Sequence, residues 1–123
     1  MRYILHVEYS KPDINSSTGR LANLFSVLAN PLRLSILSLL MEQCARNNNE
    51  GCCVQDINTM IDVPQPYLSK HLKILTDCGI LSFRRDKNRV FYKFADQSSI
   101  CHLFDFFKAC CTKYDKLQKG KRT

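Results

Sequence analysis

The sequence predicts a mainly helical α+β domain in which two helices joined by a tight turn precede a β-hairpin. Apolar residues spaced by three and four recur in several separate segments, as they do in amphipathic helices. The period changes to two over residues 81–94, as in a pair of strands. Asp86-Lys87-Asn88 supplies turn-forming residues between the two alternating runs.

Residues 64–75 (PQPYLSKHLKIL) predict the central helix of this domain. Leu68, Leu72 and Leu75 recur at i, i+4 and i+7 and form one apolar stripe. The opposite face carries small or cationic residues: Pro66, Ser69, Lys70 and Lys73. Gly79 stands where a helix-terminating glycine is expected. We expect this helix to bury one side in a small core and to present the other to an anionic groove.

A shorter helix precedes the central one and a basic hairpin follows it. Val54, Ile57 and Ile61 mark the shorter helix, and Asp62-Val63-Pro64 forms the turn between the two. The tip of the hairpin holds a single acid, Asp86, among four cations: Arg84, Arg85, Lys87 and Arg89. A basic helix and a basic hairpin next to each other can meet the same phosphate backbone. This order is typical of a winged helix-turn-helix domain with a two-stranded β-wing.

Several segments, in order and with matching spacing, resemble the ArsR/SmtB family of small bacterial winged-helix repressors. The matching segments are residues 28–34 (LANPLRL), 54–57 (VQDI), 64–75 (PQPYLSKHLKIL), 79–81 (GIL) and 90–92 (VFY). The resemblance covers rather more than half of the chain, residues 28–94. It implies a sequence-specific DNA-binding transcriptional repressor whose first and last helices form a homodimer.

The resemblance also assigns the contacts with double-stranded operator DNA. In the central helix it places five residues in the major groove or on the flanking phosphates: Gln65, Tyr67, Ser69, Lys70 and Lys73. Gln65 and Ser69 can read base edges, whereas the two lysines mainly add affinity. In the wing it places three residues against the backbone or the minor groove: Arg85, Lys87 and Arg89.

Pro64 departs from the family pattern, because the family often has a serine or threonine N-cap at this position. Proline has no side-chain acceptor for the open amides of the first turn. We therefore expect the Gln65 side chain to help satisfy those amides.

The remaining helices flank this motif, and we assign residues 19–118 to the DNA-binding and dimerisation domain. The first helix begins near Arg20, and Asn30-Pro31 is the N-cap and first residue of a second helix that runs to about Cys44. Residues 46–51 form a loop. A last helix should run from about residues 97–99 to about Gln118. Its apolar stripe comprises Ile100, Leu103, Phe104, Phe107, Cys111, Tyr114 and Leu117. So small a domain has little to cover this stripe, which favours burial against a second copy.

Length and charge set the remaining expectations. A chain of 123 residues makes one domain, and a net charge of +7 favours an anionic partner. Residues 1–18 are assigned to an N-terminal arm or short strand, and residues 119–123 to a basic tail. No run approaches the ~18 apolar residues of a membrane span, and the N-terminus lacks a signal-peptide layout. We expect a cytoplasmic protein with no membrane partner, in which the seven cysteines are reduced.

Catalysis has little support in this sequence, and we expect no enzymatic activity. The three histidines, His6, His71 and His102, are scattered, and the four glycines form no phosphate-binding loop. We interpret His71 as a packing or phosphate-contacting residue. The alternative from another class is a thiol enzyme or a cysteine-based interaction module that borrows the fold.

The cysteines indicate what the protein senses. Sensors of thiophilic metals in the family often carry C-x-C at the start of the third helix, and here the second of those cysteines is replaced by Gln55. No C-x2-C pair occurs. Cys101 lies nine residues before Cys110, which is ~14 Å along a helix and too far for one ion to bridge. The candidate metal-binding residues are Cys52, Cys53, Cys101, Cys110 and Cys111. Cys44 and Cys78 are expected to be packing residues.

Two classes of inducer could act through these cysteines. Arsenite or antimonite, which prefers three thiolates, is the main hypothesis, and no organic cofactor is expected. The alternative is a redox or reactive-sulfur sensor in which the same thiols form a disulfide or a persulfide.

Overall fold

The computed structural model describes residues 16–121, so most of the predicted N-terminal arm and the end of the predicted tail lie outside the described residues. Within that range, five helices and three strands follow one another. They are α1 (Ser17–Leu28), α2 (Pro31–Arg46), β1 (Cys52–Cys53), α3 (Val54–Met60), α4 (Gln65–Asp77), β2 (Leu81–Asp86), β3 (Arg89–Phe94) and α5 (Ile100–Lys121). This order confirms the predicted α+β class and the predicted helix-turn-helix followed by a hairpin.

The first helix begins earlier than the sequence predicted. The Ser16 hydroxyl oxygen accepts a hydrogen bond from the Gly19 amide at 3.0 Å, and this cap lets α1 begin at Ser17. Residues 17–19 therefore belong to the helix, which begins three residues before the predicted start near Arg20. The polar residues before Gly19 are typical of a turn, but one of them, Ser16, is also a good N-cap residue.

The predicted start of α2 is confirmed. Asn30 has extended backbone dihedrals, and its side-chain oxygen accepts from the amides of Leu32 and Arg33 at 2.9 and 3.1 Å. Pro31 occupies the first helical position, where its missing N–H costs nothing. The helix then continues to Arg46, two residues beyond the predicted end.

The small sheet is antiparallel and has the order β1-β3-β2, so a third strand joins the predicted two-stranded wing. Cys52 in β1 pairs with Tyr92 in β3. Gly51 leads into β1 with φ +110°, and a Cβ there would lie 3.1 Å from the Tyr92 carbonyl oxygen. The Asn49 side chain exchanges hydrogen bonds of 3.1 and 3.3 Å with the backbone of Phe94. These contacts hold the loop after α2 against β3, which sequence periodicity could not show.

The core lies between α2, α3, α4 and the sheet. Its fully buried apolar side chains are Ile36, Leu40, Ile57, Leu68, Leu72, Leu75, Ile80 and Leu81. Gly79 ends α4 as predicted, with φ +84°. Its amide donates to the Thr76 carbonyl oxygen, and the next amide, that of Ile80, donates to the Leu75 carbonyl oxygen. These two backbone hydrogen bonds end α4 and turn the chain directly into β2.

The last helix is fixed at its start and uncovered along most of its length. The Ser98 and Ser99 hydroxyls donate to the carbonyl oxygens of Ile80 and Cys78, at 2.7 and 2.9 Å. Of the predicted apolar stripe, Leu103 is buried, whereas Phe104 remains 73% exposed. The helix also continues to Lys121, so residues 119–121 are helical and not part of a separate tail.

No single described helix is long and apolar enough to span a membrane. The helices α1 and α2 pass that test of length and composition together, but they are bent by 91° at the break between them. The apolar residues Ile36, Leu37 and Leu40 of α2 are buried in the core.

Candidate nucleic-acid interface

The helix α4 begins at Gln65 without a capping side chain. Pro64 is the N-cap residue, and no side-chain hydrogen bond caps the helix, so the expected capping role of Gln65 is not observed. Pro66 has no N–H, and the Tyr67 amide already donates to the Pro64 carbonyl oxygen at 3.0 Å. The two prolines thus reduce the number of open donors in the first turn. The Gln65 side chain is exposed and remains available for another partner.

The predicted DNA-contacting residues of α4 form one outward surface. Leu68, Leu72 and Leu75 are fully buried, which fixes the rotation of the helix about its axis. Gln65, Tyr67, Lys70 and Lys73 are exposed, and Ser69 is partly buried. The structure therefore leaves four of these five side chains open to solvent on the part of α4 that the core does not cover.

The two lysines of this surface differ in their partners. Lys73 donates to the Asp77 carboxylate at 2.8 Å, and both side chains are largely exposed. This hydrogen bond, with the attraction of the carboxylate, raises the pKa of Lys73. Within residues 16–121, Lys70 has no carboxylate at ion-pair distance. Lys70 is therefore the less compensated positive charge of the two.

The wing residues lie on both faces of the hairpin. Arg85 pairs with Val90 across the two strands, and Arg89 pairs with Asp86. Because successive side chains of a strand point to opposite faces, Arg85 and Asp86 lie on different faces. Arg89 shares the face of its partner Asp86, so Arg85 and Arg89 lie on opposite faces. Lys87 stands in the two-residue turn between β2 and β3 with φ +56°. All three predicted wing cations are exposed.

A fourth cation of the hairpin tip, Arg84, lies outside the predicted set of DNA-contacting residues. Its guanidinium lies 4.3 Å from the centre of the Phe91 ring, and it donates to the Glu50 carbonyl oxygen at 3.4 Å. Asp86 is 3.9 Å away. Arg84 is thus anchored to the loop before β1, and it holds the wing as well as contributing charge.

Near this surface, Arg33 and His71 make a partly buried contact. The Arg33 Nε group donates to His71 Nδ1 at 3.1 Å, and the Nη1 group donates to the Val27 carbonyl oxygen at 3.0 Å. His71 is only 4% exposed and lies edge-on to the Tyr67 ring, with ring centres 4.7 Å apart. Of the two roles expected of His71, packing or phosphate contact, this burial supports packing.

Sequence spacing held a signal for this contact. Arg33 stands three, four and seven residues before buried positions of α2, namely Ile36, Leu37 and Leu40. His71 stands three residues after Leu68 and four before Leu75, so it belongs to the apolar stripe. A polar residue on a stripe that is otherwise apolar needs a partner. The identity of that partner depends on the packing of α2 against α4, which the sequence does not specify.

The candidate metal-binding cysteines fall into a buried and an exposed group. Cys52 and Cys53 are buried beside α3, together with Cys44 at the end of α2. Burial raises the pKa of Cys52 to about 11, and nearby Asp56 adds to the rise. Burial raises the pKa of Cys44 as well. Cys44 and Cys52 are therefore kept in the protonated form, which is a weak nucleophile and a weak ligand.

The exposed group lies on α5 and consists of Cys101, Cys110 and Cys111. The remaining cysteine, Cys78, is half-buried at the end of α4, and its thiol donates to the Leu75 carbonyl oxygen at 3.4 Å. Among residues 16–121, no group of three or more His, Cys, Asp or Glu side chains is arranged to hold a metal ion. The assignment of the five candidate cysteines to a metal site stays a prediction.

Comparisons with known proteins agree with this architecture. The family model of the bacterial regulatory protein, arsR family, matches residues 30–82. A transcriptional regulator of Methanocaldococcus jannaschii, MJ1325, is 37% identical over 75 residues, which are 61% of this chain and 78% of that relative. The arsenical resistance operon repressor of Escherichia coli is 37% identical over 70 residues, which are 57% of this chain and 55% of the repressor.

A solved structure shows the same fold. It is the homodimeric winged helix-turn-helix DNA-binding domain Mb0332 of Mycobacterium bovis, with a TM-score of 0.60 and 22% identity. The likeness covers 87% of this chain and 92% of that domain. The order of the helices, the wing and the sequence relatives lead to one conclusion. The chain belongs to the arsR family of bacterial regulatory proteins and is a transcriptional repressor of the ArsR/SmtB type, not an enzyme.

Proposed function

We propose that the protein represses transcription as a homodimer that inserts α4 into the major groove of its operator and lays the wing against the backbone. Thiol chemistry on α5 then releases it from DNA. The observation that carries this proposal is the division of α4 into a fully buried leucine face and an exposed face with Lys70 and Lys73. A groove-reading helix needs such a face, since base edges and phosphates must reach it without disturbing the core.

Homodimer formation is supported by the uncovered face of α5. Phe104, Tyr114 and Leu117 are 73%, 59% and 66% exposed. Phe25 of α1 lies edge-on to Phe107 of α5, with ring centres 5.7 Å apart, so the two helices share one apolar surface. A surface of this kind marks an interaction site. The relative Mb0332 is described as homodimeric, and two copies would place two α4 helices on one duplex.

The inducer hypothesis rests on which thiols are accessible. Cys101, Cys110 and Cys111 are exposed, whereas Cys52 is buried and its pKa is raised to about 11. A soft metalloid such as arsenite or antimonite binds thiolates in preference to harder ligands. The E. coli relative is named for arsenical resistance. We therefore propose that arsenite or antimonite first meets the α5 thiols.

One α5 helix does not supply a complete three-thiolate site. Cys101 is ~14 Å along the helix from Cys110. The third thiol must come from the partner chain or from local unwinding of the helix end. Either route changes the dimer, and a ligand that binds the changed form more tightly lowers the population that binds DNA.

The alternative inducer is an oxidant or a reactive sulfur species. Exposure at Cys110 and Cys111 admits such reagents as readily as it admits a metalloid. Hydrogen peroxide oxidises two thiols to a disulfide and is itself reduced to two molecules of water. A thiolate that attacks the sulfane sulfur of a donor persulfide becomes a persulfide, and the donor leaves as a thiolate. Both products use the thiols that the first hypothesis uses.

The test starts with a duplex that the reduced protein selects from a random-sequence library. Release of that duplex is followed by fluorescence anisotropy during titration with arsenite, with zinc, and with a peroxide or persulfide donor. Release by near-stoichiometric arsenite, lost in a Cys110→Ser/Cys111→Ser double variant, supports the metalloid hypothesis. Release by the oxidants alone supports the alternative.

The matched control is a Cys52→Ser/Cys53→Ser double variant, which removes an adjacent pair that is buried. It should respond to the inducer as the wild type does. Loss of the response in this variant alone would contradict the assignment to α5. Failure of the reduced protein to select any duplex would contradict the DNA-binding role itself.

A further inference from the structure

Arg33 connects three helices through two hydrogen bonds. From α2 it donates to the Val27 carbonyl oxygen near the end of α1 and to His71 Nδ1 in the middle of α4. The Val27 carbonyl lies in the last turn of α1, where carbonyl groups lack partners within the helix. A single guanidinium thus links the helix of the apolar dimer face to the helix proposed to read DNA. Its planar, forked donors suit two acceptors at once.

The contact requires a neutral imidazole. A guanidinium is always protonated and can only donate, so Nδ1 of His71 must carry a lone pair and the ring proton must be on Nε2. Within residues 16–121, His71 Nε2 has no hydrogen-bond partner and is buried from solvent. No acceptor is therefore placed to stabilise a doubly protonated ring.

The imidazole in turn supports the DNA-facing surface. The Tyr67 ring stands edge-on to His71, one helical turn away, and is 48% exposed at the proposed interface. Lys70 adjoins His71 on the same helix and acts on it electrostatically. Movement of His71 would therefore shift Tyr67 and the helix segment that carries Lys70.

We propose that Arg33 is a positioning residue for DNA recognition, which holds α4 against α1 through neutral His71 and releases it when His71 is protonated. This inference rests on the proposed function, because it takes α4 to be the helix that enters the groove. Protonation places an N–H where Arg33 needs an acceptor and sets two cations 3.1 Å apart. Operator affinity then falls on acidification.

The electrostatics around His71 agree with this geometry. Burial lowers the pKa of His71 from its ordinary value of 6.5, and the charges of Arg33 on α2 and Lys70 on α4 lower it further. Because the pKa of His71 is lowered in the folded protein, the imidazole is neutral above pH 6.5 and its contact with Arg33 is formed. It is lost as the pH falls below that value toward the lowered pKa.

The experiment measures affinity for the selected duplex by fluorescence anisotropy from about pH 8 to about pH 5.5. Wild type should lose about ten-fold more affinity on acidification than His71→Asn loses. His71→Asn offers an oxygen near the position of Nδ1 and does not titrate, so it should retain binding and flatten the profile. His102→Asn removes an exposed histidine of α5 and should keep the wild-type profile.

A second measurement reads the contact without DNA. The imidazole protons of His71, followed by NMR, should titrate below pH 6.5 in wild type. In Arg33→Met, which removes the cation, the midpoint should move upward. Far-UV circular dichroism of each variant checks that the fold is retained.

Two outcomes would overturn the inference: a pH profile unchanged in His71→Asn, or a His71 midpoint that Arg33→Met does not raise. Failure to select any duplex would overturn the proposed function and the role of Arg33 in recognition. The NMR titration would then still decide the Arg33–His71 contact, so the two failures are distinguishable.

Discussion

The helices α4 and α5 carry similar apolar stripes, but the single chain buries one and exposes the other. Leu68, Leu72 and Leu75 of α4 are fully buried between α2 and the sheet. On α5, Leu103 is buried near the start, while Phe104 and Tyr114 remain 73% and 59% exposed. The comparison teaches that periodicity predicts which face of a helix is buried but not which molecule covers it.

The largest expected effect comes from substitutions in the exposed apolar stripe of α5. Phe104→Ser combined with Tyr114→Ser removes two exposed rings from the proposed dimer face. We expect the dimer dissociation constant to rise by about a thousand-fold, because central aromatic residues dominate the energy of interfaces. Sedimentation at several concentrations measures it.

Met41→Ser is the matched control, since Met41 is 53% exposed on α2, which is not one of the two helices of the proposed dimer face. It should leave the dimer unchanged. An unaltered dissociation constant in the double variant would show that the α5 face is not the interface.

The second prediction concerns the buried leucine stripe of α4. Leu72→Ala leaves a cavity at a fully buried position, and we expect a loss of about 3 kcal/mol in the free energy of unfolding. Urea denaturation at a fixed protein concentration measures this loss. A loss below about 1 kcal/mol would mean that the core does not depend on this stripe.

The cysteines sharpen the same contrast between buried and exposed surfaces. In the native protein, Cys101, which is not part of the apolar stripe of α5, should react with iodoacetamide, and Cys52 should react at least about a hundred-fold more slowly than after unfolding. The reason is burial together with a pKa of about 11 for Cys52. Raising the pH from 9 toward 11 should destabilise the fold as this buried thiol ionises.

Mass spectrometry of labelled peptides identifies the reactive cysteines. Fast labelling of Cys52 in folded protein at neutral pH would contradict the placement of that thiol in the core.

The smallest expected effect separates the two lysines of α4. Lys73→Ala removes an exposed pair with Asp77 and should leave stability nearly unchanged, because solvent screens such a pair. Lys70→Ala should lower the salt dependence of DNA binding by about one unit of slope, and Lys73→Ala by less, because Asp77 already offsets part of its charge. Equal slopes in the two variants would contradict that difference.

Local patterns in the sequence were sufficient for most elements. Asn30 and Pro31 start α2 as predicted, because both act on the backbone of their own turn. Gly79 ends α4 for a similar local reason. The alternation over residues 81–94 predicted the hairpin, and the structure pairs Phe83 with Tyr92 within it. Such features depend on neighbours along the chain, so the order of residues specifies them.

The sequence by itself thus determined the helices, the wing, the family and the face that α4 presents. Only the tertiary structure decided the contacts made between distant segments: the addition of β1 to the wing and the link between Arg33 and His71. It also sorted the cysteines into a buried and an exposed group. The physical reason is that these features depend on how elements pack side by side, and residues that meet in that packing lie up to tens of positions apart, with no periodicity to relate them.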